Sequence, residues 1–140
     1  MKVNHTGFVV SDMNAAIEAF AGLGFHVTVE PFFVSYGDVQ KAFMENELGE
    51  GVELLCPVNE ESNMMKTLRE RPGAFHICVE TPNIEKTIAE LTPLGFVATV
   101  VRFAKGFGAR ACFMEHPVLG TVQFVEVLDD DEEKSSEVAQ

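Results

Sequence analysis

Basic residues are scarce: ten Lys and Arg stand against 22 Asp and Glu, giving a net charge of −12. No basic stripe interrupts that surplus, which argues against nucleic acid and anionic membrane surfaces as partners and leaves small molecules, for which a local positive patch suffices. Cysteine is also sparse. Cys56, Cys78 and Cys112 are odd in number, carry no CxxC spacing and cannot form a disulfide framework, as fits a reducing compartment. No apolar run approaches the roughly 20 residues of a membrane span. Met1-Lys2-Val3 leads straight into a patterned segment with no apolar leader or cleavage site, so a cytoplasmic location is expected. What is present is core material: 46% of the 140 residues are hydrophobic and 12 are Phe, enough for one domain with a sizeable interior.

The chain repeats itself. Laid over itself so that His5 falls on His76, it also matches Ile17 with Ile88, Leu23-Gly24-Phe25 with Leu94-Gly95-Phe96, Phe43-Met44-Glu45 with Phe113-Met114-Glu115, and Val52-Glu53 with Val125-Glu126. Matches kept in order with small gaps mark a duplicated unit. Alternating, β-rich stretches predict strands over 3–10, 25–29, 39–44 and 52–55, then over 75–80, 96–103, 109–114 and 122–128. Helices fall after the first strand of each half. Ser11-Asp12 caps one with Met13, Ala16, Ile17 and Phe20 on a single face, and Pro82-Asn83 opens the other with Ile84, Ile88 and Leu91. Gly24 and Gly95 stand where each helix would end in a left-handed residue. The expected fold class is therefore α+β: two tandem βαβββ modules forming a curved mixed sheet. Repeat one covers 1–58, a connecting helix 59–72 and repeat two 73–128, all in a single domain, followed by an acidic disordered tail over 129–140.

Strand parity places four chemically notable residues on one face. In the first strand Thr6, Phe8 and Val10 should meet the helix, which turns His5, Gly7 and Val9 to the open side. The same parity sends Ile77 and Val79 to the helix and His76, Cys78 and Glu80 to the open side. Glu53 and Glu126 each stand between branched apolar neighbours in a last strand, where an ionised carboxylate is costly unless paired. A lone strand His or Glu is more often a satisfied core or surface residue, but recurrence of both types in both halves favours a shared cation. Two imidazoles and two carboxylates suit Zn, Ni, Co or Mn and leave coordination positions open for a substrate. Cys78 reads as a small buried thiol, His26 and His116 as structural or surface residues, and Gly106-Phe107-Gly108 as a turn. Parity alone leaves open which of Gln40 and Lys41 faces the site, and Asp38 is a further neighbour.

These residues carry a resemblance. His5-Thr6-Gly7, the segment from Val52-Glu53-Leu54-Leu55-Cys56-Pro57 to Ser62, Gly73-Ala74-Phe75-His76-Ile77-Cys78, and Phe113-Met114-Glu115-His116-Pro117 with Gly120 and Val125-Glu126 resemble the vicinal oxygen chelate (glyoxalase/bleomycin resistance/dioxygenase) superfamily. Within it they are most similar to the methylmalonyl-CoA epimerases. The resemblance spans about residues 4 to 128 and implies a glyoxalase-like fold around a divalent metal held by His5, Glu53, His76 and Glu126, with Gln frequent in the family at the second of these positions. It implies an epimerase or isomerase that abstracts a proton next to a thioester carbonyl, with a metal-stabilised enediolate and Glu126 as the proton-moving residue. The implied partners are a small-molecule substrate, acyl-CoA among the candidates, and a second copy of the chain in a homodimer. Glyoxalase I-type lyase activity and noncatalytic small-molecule binding are the alternatives. The chain departs from the epimerase pattern where Val39-Gln40-Lys41-Ala42-Phe43 lacks a second acid and where Phe75 replaces a His. Lys66, Arg69, Arg71, Arg102, Lys105 and Arg110 are candidate contacts for a phosphate-bearing substrate.

Overall fold

The computed structural model describes residues 1–104 and 109–127. The anticipated acidic tail, Leu128 at the end of the last strand, Lys105 and the Gly106-Phe107-Gly108 turn lie outside them. Among the described residues are nine strands and three α-helices in an α+β arrangement with a mixed sheet, and no helix is long and apolar enough to cross a membrane. The chain divides into two compact units, one of Asn4–Ile77 and one that runs from Cys78 and takes in Met1–Val3.

In the Asn4–Ile77 unit the elements run β1 (Val3–Val9), α1 (Met13–Gly22), β2 (His26–Val34), β3 (Val39–Glu45), β4 (Gly51–Pro57) and α2 (Met65–Glu70), ending inside β5 (Gly73–Thr81). Strands are ordered β2-β3-β4-β1. The pair β1 and β4 is parallel, and the other two are antiparallel. Asp12 caps α1 by accepting a hydrogen bond from the Ala15 N–H at 2.9 Å, and Gly24 ends the turn with φ 91°. The apolar stripe Met13, Ala16, Ile17 and Phe20 packs on one sheet face with Phe8, Val10, Ala42, Met44, Val52 and Leu54. This is the parity expected of β1. The strand predicted to end at Val29 continues to Val34, because β2 is an edge strand in which Pro31 gives up no ladder bond and two register shifts absorb the irregularity. On the other sheet face Val9, Val39 and Leu55 form a second cluster with Val34, Met64, Leu68 and Phe75. The connecting helix, expected over 59–72, is the single short element α2.

In the other unit β5 is followed by α3 (Ile84–Leu91), a 3-10 turn over Thr92–Leu94, β6 (Val97–Ala98), β7 (Arg102–Ala104), β8 (Ala109–His116) and β9 (Gly120–Glu126). Asn83 caps α3 through the Lys86 N–H at 2.8 Å, and Gly95 adopts φ 97°. Ile84 and Ile88 pack with Val79, Cys112, Met114, Val122 and Phe124. Ile77, expected to point at a helix beside Val79, is instead 43% exposed. The strand expected over 96–103 is split in two. Ala98 pairs with Met114 and Arg102 with Ala111, so four steps on one side oppose three on the other, and the extra residue breaks the ladder.

Candidate metal centre

Two neighbouring strands and the start of β5 set the site. In the parallel β1–β4 ladder His5 lies opposite Gly51 and Gly7 opposite Glu53, which brings the first imidazole and the carboxylate to the same face one step apart. The absence of side chains at Gly7 and Gly51 makes the approach possible. A Cβ on Gly7 would lie 2.3 Å from His76 Cε1, and one on Gly51 would lie 3.1 Å from the Asn4 carbonyl oxygen. His76 fills the place a Gly7 side chain would occupy.

His5, Glu53 and His76 each offer a ligand atom, and the three atoms lie within 4.8 Å of one another. His5 Nε2 is 3.9 Å and His76 Nε2 3.6 Å from the same oxygen, Glu53 Oε1. All three residues are buried, at 3%, 1% and 4% exposure in chain order. The face that parity left open is thus closed. Asn4 Oδ1 accepts the Nδ1 proton of His5 at 2.9 Å, which turns the lone pair of Nε2 toward Glu53.

The electrostatics of Glu53 are unbalanced. Burial pushes its carboxyl above the ordinary carboxylate range, and the Lys41 ammonium, 3.8 Å from Oε2, pulls it down by less. Glu53 Oε1 accepts no hydrogen bond among the described residues. A buried acceptor flanked by two imidazoles at distances too long for hydrogen bonding is suited to a cation in the gap. The nitrogen and oxygen donors suit a first-row divalent metal, so the residues present fit such an ion.

Glu126, the fourth expected ligand, belongs to the other unit and has a different environment. Its Oε1 accepts from Arg110 Nε at 3.0 Å, and its Oε2 accepts from Arg110 Nη2 at 2.7 Å and from the Ile84 N–H at 3.0 Å. Arg110 also forks onto Glu85 at 2.8 and 2.9 Å. The Arg110 hydrogen bonds hold the Glu126 carboxyl below its usual range against the opposing effect of burial. Sequence reading missed this pair. Its signal was the β8–β9 hairpin, whose register sets Ala111 opposite Val125 and so makes Arg110 and Glu126 cross-strand neighbours.

The other candidates are accounted for. Lys41 faces Glu53, which settles the choice that parity left open, and Asp38 sits in the β2–β3 turn with φ 47°. Cys78 is fully buried and His26 is exposed. His116 is structural: its Nδ1 accepts from the Val118 and Leu119 N–H groups, and its Nε2 lies 3.2 Å from the Leu94 carbonyl oxygen. Among the bases proposed for a phosphate, Arg69 pairs with Glu60 and Arg110 with Glu85 and Glu126.

A buried His/Glu/His cluster on a duplicated βαβββ framework defines a class. The family model described as the Glyoxalase/Bleomycin resistance protein/Dioxygenase superfamily matches residues 4–113, and the chain belongs to that superfamily. Among solved structures it is similar to the methylmalonyl-CoA epimerase of Mycobacterium tuberculosis, with a TM-score of 0.78 and 21% identity over 94% of this chain and 91% of that one. A variant of the Streptomyces coelicolor methylmalonyl-CoA epimerase in complex with 2-nitronate-propionyl-CoA gives a TM-score of 0.76 at 23% identity, covering 92% and 99%. A hypothetical protein of Bacillus halodurans C-125 gives 0.79 at 25% identity, covering 92% and 96%. No curated protein matches the chain. The glyoxalase-like fold expected from the sequence is the one observed.

Proposed function

We propose that this protein is a metal-dependent epimerase or isomerase acting on a carbon acid next to a thioester carbonyl. The observation that carries the proposal is the convergence of one ligand atom each from buried His5, Glu53 and His76 to within 4.8 Å of one another. These three residues would hold a divalent cation of the Co, Mn, Zn and Ni group. When bound, such an ion supplies Lewis-acid stabilisation of the negative charge that develops on substrate oxygen as a neighbouring carbon is deprotonated.

The chain's own residues prepare the site in other ways. Asn4 fixes the His5 tautomer, Gly7 gives His76 its position, and the cluster around Val9, Val39 and Leu55 on the same sheet face keeps water away. An acyl-CoA is the substrate class we favour, in line with the ligand of the Streptomyces coelicolor epimerase complex. Glu126 is the proposed proton carrier by family resemblance. Its carboxylate now accepts three N–H hydrogen bonds, two from Arg110, so proton uptake requires that fork to open.

A second reading has one specific support. Lys41 stands on the strand where epimerases carry a second acid, and a site without that acid suits the one-carboxylate chemistry of a glyoxalase-type lyase. The deciding experiment begins with metal content of the purified protein beside the double variant His5→Ala, His76→Ala. One metal per chain, lost in the variant, supports the centre. Solvent deuterium entering the α-carbon of methylmalonyl-CoA would then identify an epimerase, whereas turnover confined to a glutathione hemithioacetal would identify a lyase. A wild type that takes up no added cation would end the proposal.

A further inference from the structure

Lys41 is the residue whose surroundings are least explained by the site as described. Strand β3 directs it to the face that carries Glu53, with its partner Leu55 across the β3–β4 ladder in the apolar cluster. Its side chain is only 22% exposed. The 3.8 Å separation from Glu53 Oε2 exceeds a hydrogen bond, and among the described residues Nζ makes none. Three N–H donors on a largely enclosed ammonium group are therefore uncommitted.

The charge balance changes when a cation enters. In the cation-free site Lys41 is the counter-charge of Glu53. A dication bound by Glu53 and two neutral imidazoles adds two positive charges beside the ammonium, and even with Glu126 as a further ligand, cation and ammonium together exceed the charge of two carboxylates. This local excess arises in a chain whose net charge is −12, and Lys41 points inward where it does nothing for solubility. An anionic oxygen brought in by the ligand would relieve the excess and accept the idle donors.

We propose that Lys41 is an anion anchor, selecting ligands that carry a carboxylate over neutral ligands of the same shape. The proposal rests on the reading of His5, Glu53 and His76 as a cation site, and it adds the residue that sets the charge of the substrate. Lysine here is then a specificity determinant in place of the acid that epimerases carry on this strand.

The test is calorimetric titration of malonate and of malonamide, its neutral isostere, into wild type, Lys41→Met and Lys41→Arg. Each is measured cation-free and Co²⁺-loaded, with Co²⁺ retention checked after titration. Wild type should prefer malonate. Lys41→Met should weaken malonate binding about tenfold to a hundredfold and leave malonamide unchanged, while Lys41→Arg should keep most of the preference and show that the fold survives substitution. Co²⁺ alone should bind Lys41→Met at least as tightly as wild type, since a repulsive charge has gone. Equal malonate affinity in wild type and Lys41→Met, or no preference in wild type under either condition, overturns the anchor. Failure of wild type to bind Co²⁺ overturns the cation reading separately, and the malonate preference of the cation-free protein then decides Lys41 by itself.

Discussion

Gly7 and His76 share one volume: a methyl group on the glycine would lie 2.3 Å from Cε1 of the imidazole and 2.6 Å from its Nδ1. His76 is 4% exposed, so its ring has little room to withdraw. Gly7→Ala should displace the ring, destabilise the protein by about 1–3 kcal/mol through overpacking, and abolish cation binding. Equilibrium denaturation with metal analysis checks this. Full metal content in a stable Gly7→Ala protein would contradict the geometry.

Asn4 bears on affinity, not on the presence of the site. Its Oδ1 fixes which nitrogen of His5 keeps a lone pair, and loss of such an outer partner lowers metal affinity about tenfold to a hundredfold in comparable sites. Asn4→Ala should show a drop of that order in a competition assay with a coloured chelator, and Asn4→Asp should restore binding. An Asn4→Ala protein with wild-type affinity would remove Asn4 from the site.

Glu53 gives a pH prediction in the absence of metal. Burial raises its folded-state carboxyl above the ordinary 4.5, so the native state holds its proton more tightly than the unfolded chain does. Stability is therefore lost as pH rises from 4.5 through the raised value. Glu53→Gln removes the charge, and in chelator at pH 8 it should be more stable than wild type. Urea titrations at pH 4 and pH 8 measure both quantities, and a variant less stable than wild type at pH 8 would sink the idea.

Arg110 and Glu126 give the opposite sign. The guanidinium lowers the Glu126 carboxyl, so this pair contributes stability that is fully present above about pH 4.5 and lost as pH falls through the depressed value. Arg110→Ala should cost about 1–3 kcal/mol at pH 7 and shrink the loss of stability on acidification. The same variant tests Glu126 as a proton carrier: if the fork restrains it, turnover per folded molecule should rise, and unchanged turnover would argue that Glu126 moves no proton.

The sequence was most informative where local chemistry and repetition agreed. Asp12 and Asn83 cap the two main helices because a short polar side chain ahead of an apolar stripe has few other roles. His5, Glu53 and His76 were legible because strand parity fixes a face without knowledge of what covers it. The cover was not legible: Leu68 and Phe75 reach the Val9 cluster from segments far along the chain, and no short-range pattern records that. The aim of Lys41 depended on the register of β3 against β4, and the capture of Glu126 on a guanidinium across a hairpin. Both are pairings between strands, to which the period of a single strand is blind.

The parallel pairing of β1 with β4 has a kinetic meaning. α1 and the whole β2–β3 hairpin lie between these strands in sequence, so His5 and Glu53 meet only after this non-local ladder has closed. Local elements such as α1 and the β3–β4 hairpin can form first and contain no complete ligand set. A cation that needs the assembled site binds only after that ladder has closed. It should slow unfolding and leave the refolding rate almost unchanged, serving as a latch on the finished molecule and not as a template for making it.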